Sequence, residues 1–288
     1  MTARPAIDGA TRLIGLLGSP VAHSKSPAIH NAAFAATGVN AAYLAFEVAP
    51  EKLAAAAAGL VVLGAAGWNV TMPHKTAMAA LCDELSPAAR IVGAVNTVVV
   101  QDGRMTGHIT DGSGFTAALT DRGFNPAGKQ VALFGAGGAA RAAAVQLALD
   151  GAAQLAIFNR TVAKARMLAE TIAAETGCAA RAYALDDAEA LRTAVTEADL
   201  VINGTKLGMA PHSETCVLPD ARWLARRPVV ADFVYNPVQT RLLAMAAAAG
   251  CPTLDGLAML LWQGAQAFAL WTGRPMPVAA VRAQVFGA

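Results

Sequence analysis

Charge is scarce in this sequence. Only 15% of its 288 residues are charged, and 22 Lys and Arg against 20 Asp and Glu leave a net charge of +2. So small a balance argues against a basic face for nucleic acid or for an anionic membrane. Cysteine is sparse too. Cys82, Cys178, Cys216 and Cys251 are scattered without a C-x-x-C pair, which argues against a disulfide frame or a zinc site and reads as ordinary thiols of a reducing cytosol. The histidines (His23, His30, His74, His108, His212) show no metal-ligand spacing, so no metal is expected. Long apolar runs are missing. The most apolar segment, "LAMLLWQGAQAFALW", is interrupted by Gln263, Gly264 and Gln266. It is too short and too polar to span a bilayer and reads as a buried amphipathic helix. The opening "MTARPAIDGATR" has no apolar signal-peptide core, so a cytoplasmic location is expected. Internal repeats, low-complexity linkers and runs of like charge are absent as well.

What is abundant is apolar surface. At 55% hydrophobic the chain has ample material for a core, and its length fits one large domain or two ordinary ones. Strand-like runs ("RLIGLLG", "AAYLAFEVA", "GWNVTMP") alternate with helical patterns ("SPAIHNAAFAATG", "EKLAAAAAGLVVLGAAG"). This is the β-α-β-α order of a largely parallel sheet. "GAVNTVVVQDGRMTGHIT" reads instead as a hairpin turning at Gln101-Asp102-Gly103. A second α/β series begins at "QVALFGAGGAARAAAVQLALDG" and continues through "AQLAIFNR", "DLVINGT", "PVVADFVY" and "TRLLAMAAAAG" to helices near 257–272 and 277–284. The fold class expected is α/β with two domains. The break between them is placed close to Gly114, ahead of the glycine motif that opens the second series.

"GAGGAA" follows an apolar strand and opens a helix, matching G-x-G-x-x-G/A. Gly135 permits the tight turn, Gly137 lets backbone approach a pyrophosphate, and Ala140 is small enough for helix–strand packing. The helix N-terminus supplies N–H groups and a positive dipole end. The next strand ends in Asn159, Arg160 and Thr161, with Lys164 one turn on, and carries no carboxylate that would repel a 2′-phosphate. Arg160 offers a planar donor fork, so NADP is favoured, with NAD as the alternative. The competing view makes Arg160 and Lys164 surface charges at a helix start.

Polar residues collect at element ends in the first half. Ser24 and Ser26 flank Lys25 before a helix; Thr71 and Lys75 follow a strand; Asn96 and Asp111 lie near strand ends. Each has a plain structural alternative: helix capping for the serines, an exposed first-turn residue for Lys75, a turn or cap for Asp111. Ligands in open α/β sheets gather beyond strand carboxyl ends, where Thr71, Lys75, Asn96 and Asp111 could converge. Carbonyl reduction needs a hydride donor, a proton donor and groups that fix the carbonyl. Lys75 suits the proton, and Asp111 suits orienting it. Gln263 either reaches a ligand or bonds a neighbouring helix.

The ordered series "SPVAHSKSPAIHN", "NVTMPHK", "VGAVNT", "TDGSGF", "FGAGGAARA", "NRT", "INGTKLGM", "VYNPVQTRLL" and "DGLAMLLWQGAQAFALWTG" resembles the shikimate dehydrogenase family over almost the whole chain, most closely its quinate/shikimate branch. The resemblance implies reversible NAD(P)-dependent oxidation of shikimate to 3-dehydroshikimate, within aromatic amino acid biosynthesis. It also implies an N-terminal substrate-binding α/β domain over residues 1–113, completed by C-terminal helices in 255–288, and a Rossmann-like NAD(P)-binding domain over 114–254. It implies Ser24 and Ser26 as carboxylate ligands, with Tyr235 approaching the same group. Thr71, Asn96 and Gln263 match ring-hydroxyl ligands, and Lys75 with Asp111 the catalytic pair. Gly135, Ala136, Gly137, Gly138 and Ala139 match the pyrophosphate loop. Asn159, Arg160, Thr161 and Lys164 match the adenosine-phosphate clamp. Thr205, Phe233 and Gly256 match the nicotinamide pocket. A small-molecule substrate is expected as the partner, in a monomer or homodimer.

Three positions depart from the family pattern: Ile109 replaces a polar residue, Lys206 stands where the shikimate-specific branch has serine, and Ala258 stands where glycine is common. Lys206 brings in quinate, oxidised to 3-dehydroquinate, as a second substrate. Two rivals follow: an NAD-preferring quinate dehydrogenase, and a non-catalytic sensor of shikimate-like metabolites.

Overall fold

A computed structural model describes residues 7–287; the first six residues of the opening stretch lie outside it, as does Ala288. The chain divides into two compact units, Met1–Thr110 with Leu261–Ala288, and Asp111–Leu260.

The first unit carries β1 (Arg12–Gly18), α1 (Ser26–Thr37), β2 (Ala41–Glu47), α2 (Leu53–Val62), β3 (Gly67–Val70), α3 (Lys75–Ala79), β4 (Glu84–Leu85), α4 (Pro87–Val92), β5 (Thr97–Gln101) and β6 (Arg104–His108). Its sheet runs β2-β1-β3-β5-β6-β4. β1 is parallel to β2 and β3, whereas β5 is antiparallel to both β3 and β6. The sheet is therefore mixed, because a tight hairpin can only join antiparallel strands. That hairpin turns at Asp102 and Gly103, both with positive φ (51° and 76°), as a two-residue type I′ turn requires. The expected strand "GWNVTMP" stops at Val70; Pro73 has no N–H for a ladder, and the chain turns at Met72 and Pro73.

Gly67 opens β3 at φ +154°. A Cβ there would fall 2.2 Å from the Val98 carbonyl oxygen and 2.4 Å from Trp271 Nε1. Only glycine lets the Trp271 indole reach the sheet, where its N–H donates to Val98 O at 2.9 Å. At the other edge, the Asn31 side chain of α1 accepts from Tyr43 N at 3.0 Å and donates to Tyr43 O at 2.9 Å. It occupies the outward-facing backbone groups of β2 at that residue.

The second unit contains α5 (Thr110–Asp121), β7 (Gln130–Phe134), α6 (Gly138–Leu149), β8 (Gln154–Asn159), α7 (Val162–Thr176), β9 (Ala179–Ala184), α8 (Ala188–Glu197), β10 (Leu200–Asn203), β11 (Val229–Asp232), α9 (Arg241–Ala248) and β12 (Thr253–Leu254). α10 (Gly256–Thr272) and α11 (Val278–Phe286) complete the chain. The unit boundaries fall at the start of α5 and within α10 rather than in linkers. Six parallel strands run β12-β11-β10-β7-β8-β9, the doubly wound Rossmann-like order. Helices cover the sheet, so its central strands are unbroken apolar runs such as "LVIN". One face packs Phe134 and Phe158 against Leu191 and Val195 of α8 and Leu242 and Leu243 of α9. The pattern above missed α8, and it missed β9 because "AARAYA" contains no β-branched residue to mark a strand. Among the described residues no helix is long and apolar enough to cross a membrane.

Candidate active site

In the first unit a buried polar network lies where β1 and β3 end and the antiparallel β5 begins. Tyr43 Oη donates to Asn69 Oδ1 at 2.7 Å. Asn69 Nδ2 donates to Asn96 O at 3.1 Å and to Thr97 Oγ1 at 2.9 Å. Asn96 Oδ1 accepts from the Thr110 N–H at 2.7 Å, with the Thr97 and Thr110 hydroxyls each at 3.1 Å. This saturation fixes the Asn96 amide with its oxygen inward. Burial raises the Tyr43 phenol, opposed by the neighbouring Ser26 hydroxyl. His30, stacked on Tyr43 at 4.5 Å, is held by burial at about 3. Asn69 offsets this slightly, without a hydrogen bond of proper geometry to either ring nitrogen.

Thr71 follows β3, and its N–H still pairs with Leu17 O at 2.9 Å. Lys75 is the first residue of the short α3 and is half-buried; its carbonyl accepts from Val95 N at 2.8 Å. It therefore starts a helix, yet its backbone is tied beside Asn96. The buried His74 Nε2 lies 2.7 Å from Val48 O, a structural anchor. Neither serine caps α1. Lys25 occupies the N-cap position without a side-chain bond, and Ser24 Oγ accepts from Ser26 N at 3.2 Å. Both serines are half-buried, as is Gln263 on α10.

Asp111 and Tyr235 belong to the second unit, Asp111 buried in the first turn of α5 and Tyr235 exposed. There a cavity of about 540 Å³ is lined by Gly135, Ala136, Gly137, Ala139, Asn159, Thr205, Phe233 and Tyr235 among the expected residues. Gly135 sits at φ +107°, and a Cβ on it would lie 2.7 Å from Gly204 O. No larger residue could keep the glycine loop against the Gly204–Thr205 turn. A Cβ at Gly137 or Gly138 would meet nothing within 4 Å, and Gly137 caps α6 without a side-chain bond. Open backbone at a helix N-terminus, facing a cavity of this size, fits a dinucleotide pyrophosphate.

Asn159 Nδ2 donates to Thr161 O at 2.9 Å, shaping the turn into α7. Arg160, Thr161 and Lys164 are exposed there, and among the described residues neither cation makes an ion pair. Gly256 lies against the Phe233–Val234 backbone. Phe233 meets Phe115 edge-on at 5.1 Å. The Thr205 hydroxyl is engaged inside its own turn, donating to Asn203 Oδ1 at 2.7 Å and accepting from Leu207 N at 3.0 Å.

Sequence reasoning missed Tyr43, Thr97 and Thr110 in the network, and Met209, Ala210, Val234 and Asn236 in the cavity lining. Thr97, Thr110, Val234 and Asn236 adjoin expected site residues in sequence, whereas Tyr43, Met209 and Ala210 carry no such signal. No group of three or more His, Cys, Asp or Glu placed to hold a metal ion occurs among the described residues.

Comparison with known proteins matches three family models: a shikimate dehydrogenase substrate binding domain over residues 16–98, shikimate/quinate 5-dehydrogenase over 118–213, and a shikimate 5′-dehydrogenase C-terminal domain over 256–286. The shikimate dehydrogenase (NADP(+)) of Moorella thermoacetica is 50% identical over 273 residues, covering 95% of this chain and 92% of its own. The crystal structure of Listeria monocytogenes shikimate 5-dehydrogenase with shikimate and NAD superposes with a TM-score of 0.94 at 46% identity, covering 99% of each chain. Quinate dehydrogenase from Corynebacterium glutamicum, in complex with NAD, gives a TM-score of 0.87 at 33% identity, covering 96% of this chain and 99% of that one. Motif, fold and whole-length identity agree: the chain belongs to the shikimate dehydrogenase family.

Proposed function

We propose that the protein is an NADP-preferring shikimate dehydrogenase, interconverting shikimate and 3-dehydroshikimate. The observation that carries this is the glycine-loop cavity, open at Gly137, beside a turn whose cations Arg160 and Lys164 have no acidic partner among the described residues. Residues 1–113 with 255–288 form the substrate-binding domain, and 114–254 the cofactor-binding domain.

When bound, the nicotinamide accepts or supplies the hydride. The chain's own residues do the rest. Ser24 and Ser26, with Tyr235, bind the substrate carboxylate through hydroxyl donors. Thr71, Asn96 and Gln263 orient the ring hydroxyls; Asn96 does so with its amide already locked by Thr97 and Thr110. Lys75 takes the proton of the reacting hydroxyl during oxidation and returns it during reduction, oriented by Asp111. Thr205, Phe233 and Gly256 shape the nicotinamide end of the cavity. Arg160 and Lys164 receive the 2′-phosphate of NADP through charge-assisted bonds.

Quinate is the second substrate to test, because Lys206 lines the cavity where the shikimate-specific branch carries serine. Steady-state rates for shikimate and quinate, each with NADP and NAD, decide the matter. Shikimate with NADP is expected to be fastest; flat absorbance at 340 nm in all four mixtures would leave a sensor as the better description.

A further inference from the structure

We infer that Asp232 is a positioning residue for the cofactor cavity, one buried carboxylate on which both loops of its wall are hung. This rests on the cofactor assignment proposed above. Asp232 ends β11 and is 1% exposed. Its Oδ1 accepts from Asn203 Nδ2 at 2.9 Å and from Val234 N at 3.0 Å, and its Oδ2 from the Thr240 hydroxyl at 2.7 Å. Asn203, equally buried, relays the anchor: Nδ2 also donates to Leu207 O at 3.0 Å, and Oδ1 accepts from Thr205 N at 3.0 Å. The two loops are cross-linked by Ala210 N to Asn236 O at 3.0 Å, and at the strand end Phe233 N donates to Asn203 O at 2.9 Å. Together they supply nine of the fourteen residues lining the cavity, five from 204–210 and four from 233–236.

A neutral core would be the cheaper way to fold this sheet. Burial pushes the Asp232 carboxyl up to about 6, against the pull of its three donors. Asp232 has no ion-pair partner among the described residues. The elements packed on it present uncharged hydrogen-bond partners, Asn203 from β10 and Thr240 at the N-cap of α9; the next residue, Arg241, is an exposed cation whose guanidinium donates to Glu214 O. The Cys216 thiol also faces it and is itself raised by burial. What the carboxylate adds is a set of charge-assisted bonds, stiffer than neutral ones. It joins loops that would otherwise be linked only through backbone contacts.

The test uses the full chain and NAD+, whose phosphates do not titrate near pH 6. Binding is read by calorimetry between pH 5 and pH 8, and the melting temperature is followed in parallel. Wild-type affinity is expected to fall as pH drops through about 6 and Asp232 takes up a proton. Asp232→Asn keeps the Oδ1 acceptor and gives Thr240 an N–H to accept. It is expected to bind NAD+ about tenfold more weakly at pH 8, with a flat pH profile, in keeping with the loss of charge assistance. Equal affinity and an equal slope in the variant would overturn the assignment. Should that variant not fold, Thr240→Val removes one donor and is expected to shift the wild-type midpoint to higher pH; no shift overturns it as well. Wild-type protein that binds neither NAD+ nor NADP+ would instead refute the cofactor assignment itself, and this inference with it.

Discussion

Tyr43→Phe tests whether the polar network of the first unit behaves as drawn. The substitution removes one oxygen from a side chain that is 1% exposed, and nothing else. Asn69 Oδ1 accepts from Tyr43 Oη alone, while Nδ2 is committed to Asn96 O and Thr97 Oγ1. Asn69 is itself buried, so the orphaned acceptor lies away from bulk solvent. A buried polar group stripped of its partner costs about 1–3 kcal/mol. For domains of this size that is a fall in melting temperature of roughly 3–10 °C. The loosened Asn69 no longer holds the Asn96 backbone firmly, so the KM for shikimate should rise several-fold while kcat changes less. Thermal unfolding and steady-state kinetics on the same preparation measure both. A melting temperature within about 1 °C of wild type and an unchanged KM would mean that the network does not support Asn96.

Lys75→Ala should lower kcat by about 10²–10⁴-fold, the usual contribution of a general acid–base, with shikimate KM only moderately changed; undiminished turnover would remove Lys75 from the mechanism. Arg160→Ala should weaken NADP by roughly 10–100-fold, the loss of hydrogen bonds to a charged group, and NAD far less; calorimetry showing equal losses would refute a 2′-phosphate contact. His30 is neutral when folded, its value pushed down to about 3 from 6.5 by burial. Its stabilisation is therefore full above pH 6.5 and is lost as pH falls toward 3. His30→Leu should flatten the acid-side decline in melting temperature, and parallel pH profiles for the two proteins would contradict this. Asp255 accepts from Ala258 N at 2.8 Å at the start of α10; Asp255→Ala should cost about 1 kcal/mol, seen as a lowered denaturant midpoint.

The alternation of apolar runs and glycine-closed helices was legible because it follows from local geometry. The glycine loop was legible because only glycine tolerates φ +107° against Gly204 O. Less visible were residues whose role depends on distant partners. Tyr43 reads as one more apolar strand residue until Asn69 is found 2.7 Å from its hydroxyl. The serines looked like helix caps because that is their commonest local use, yet Lys25 holds the cap position. β9 escaped because six residues without a branched side chain give no periodic signal; it is held by pairing with β8. Local physics specified the elements, and tertiary pairing specified which polar atoms they bring together.

The two hydrogen bonds between the Asn31 side chain and the Tyr43 backbone act as a rung of sheet made by a side chain. They index α1 to β2 at one position, as a strand in register would be indexed. The helix cannot slide along that edge without giving up both bonds at once. Ser24 and Ser26, at the start of that helix, thus inherit the register of the sheet. The same rung leaves an incoming strand no backbone groups at Tyr43, so any added strand would have to begin pairing further along β2.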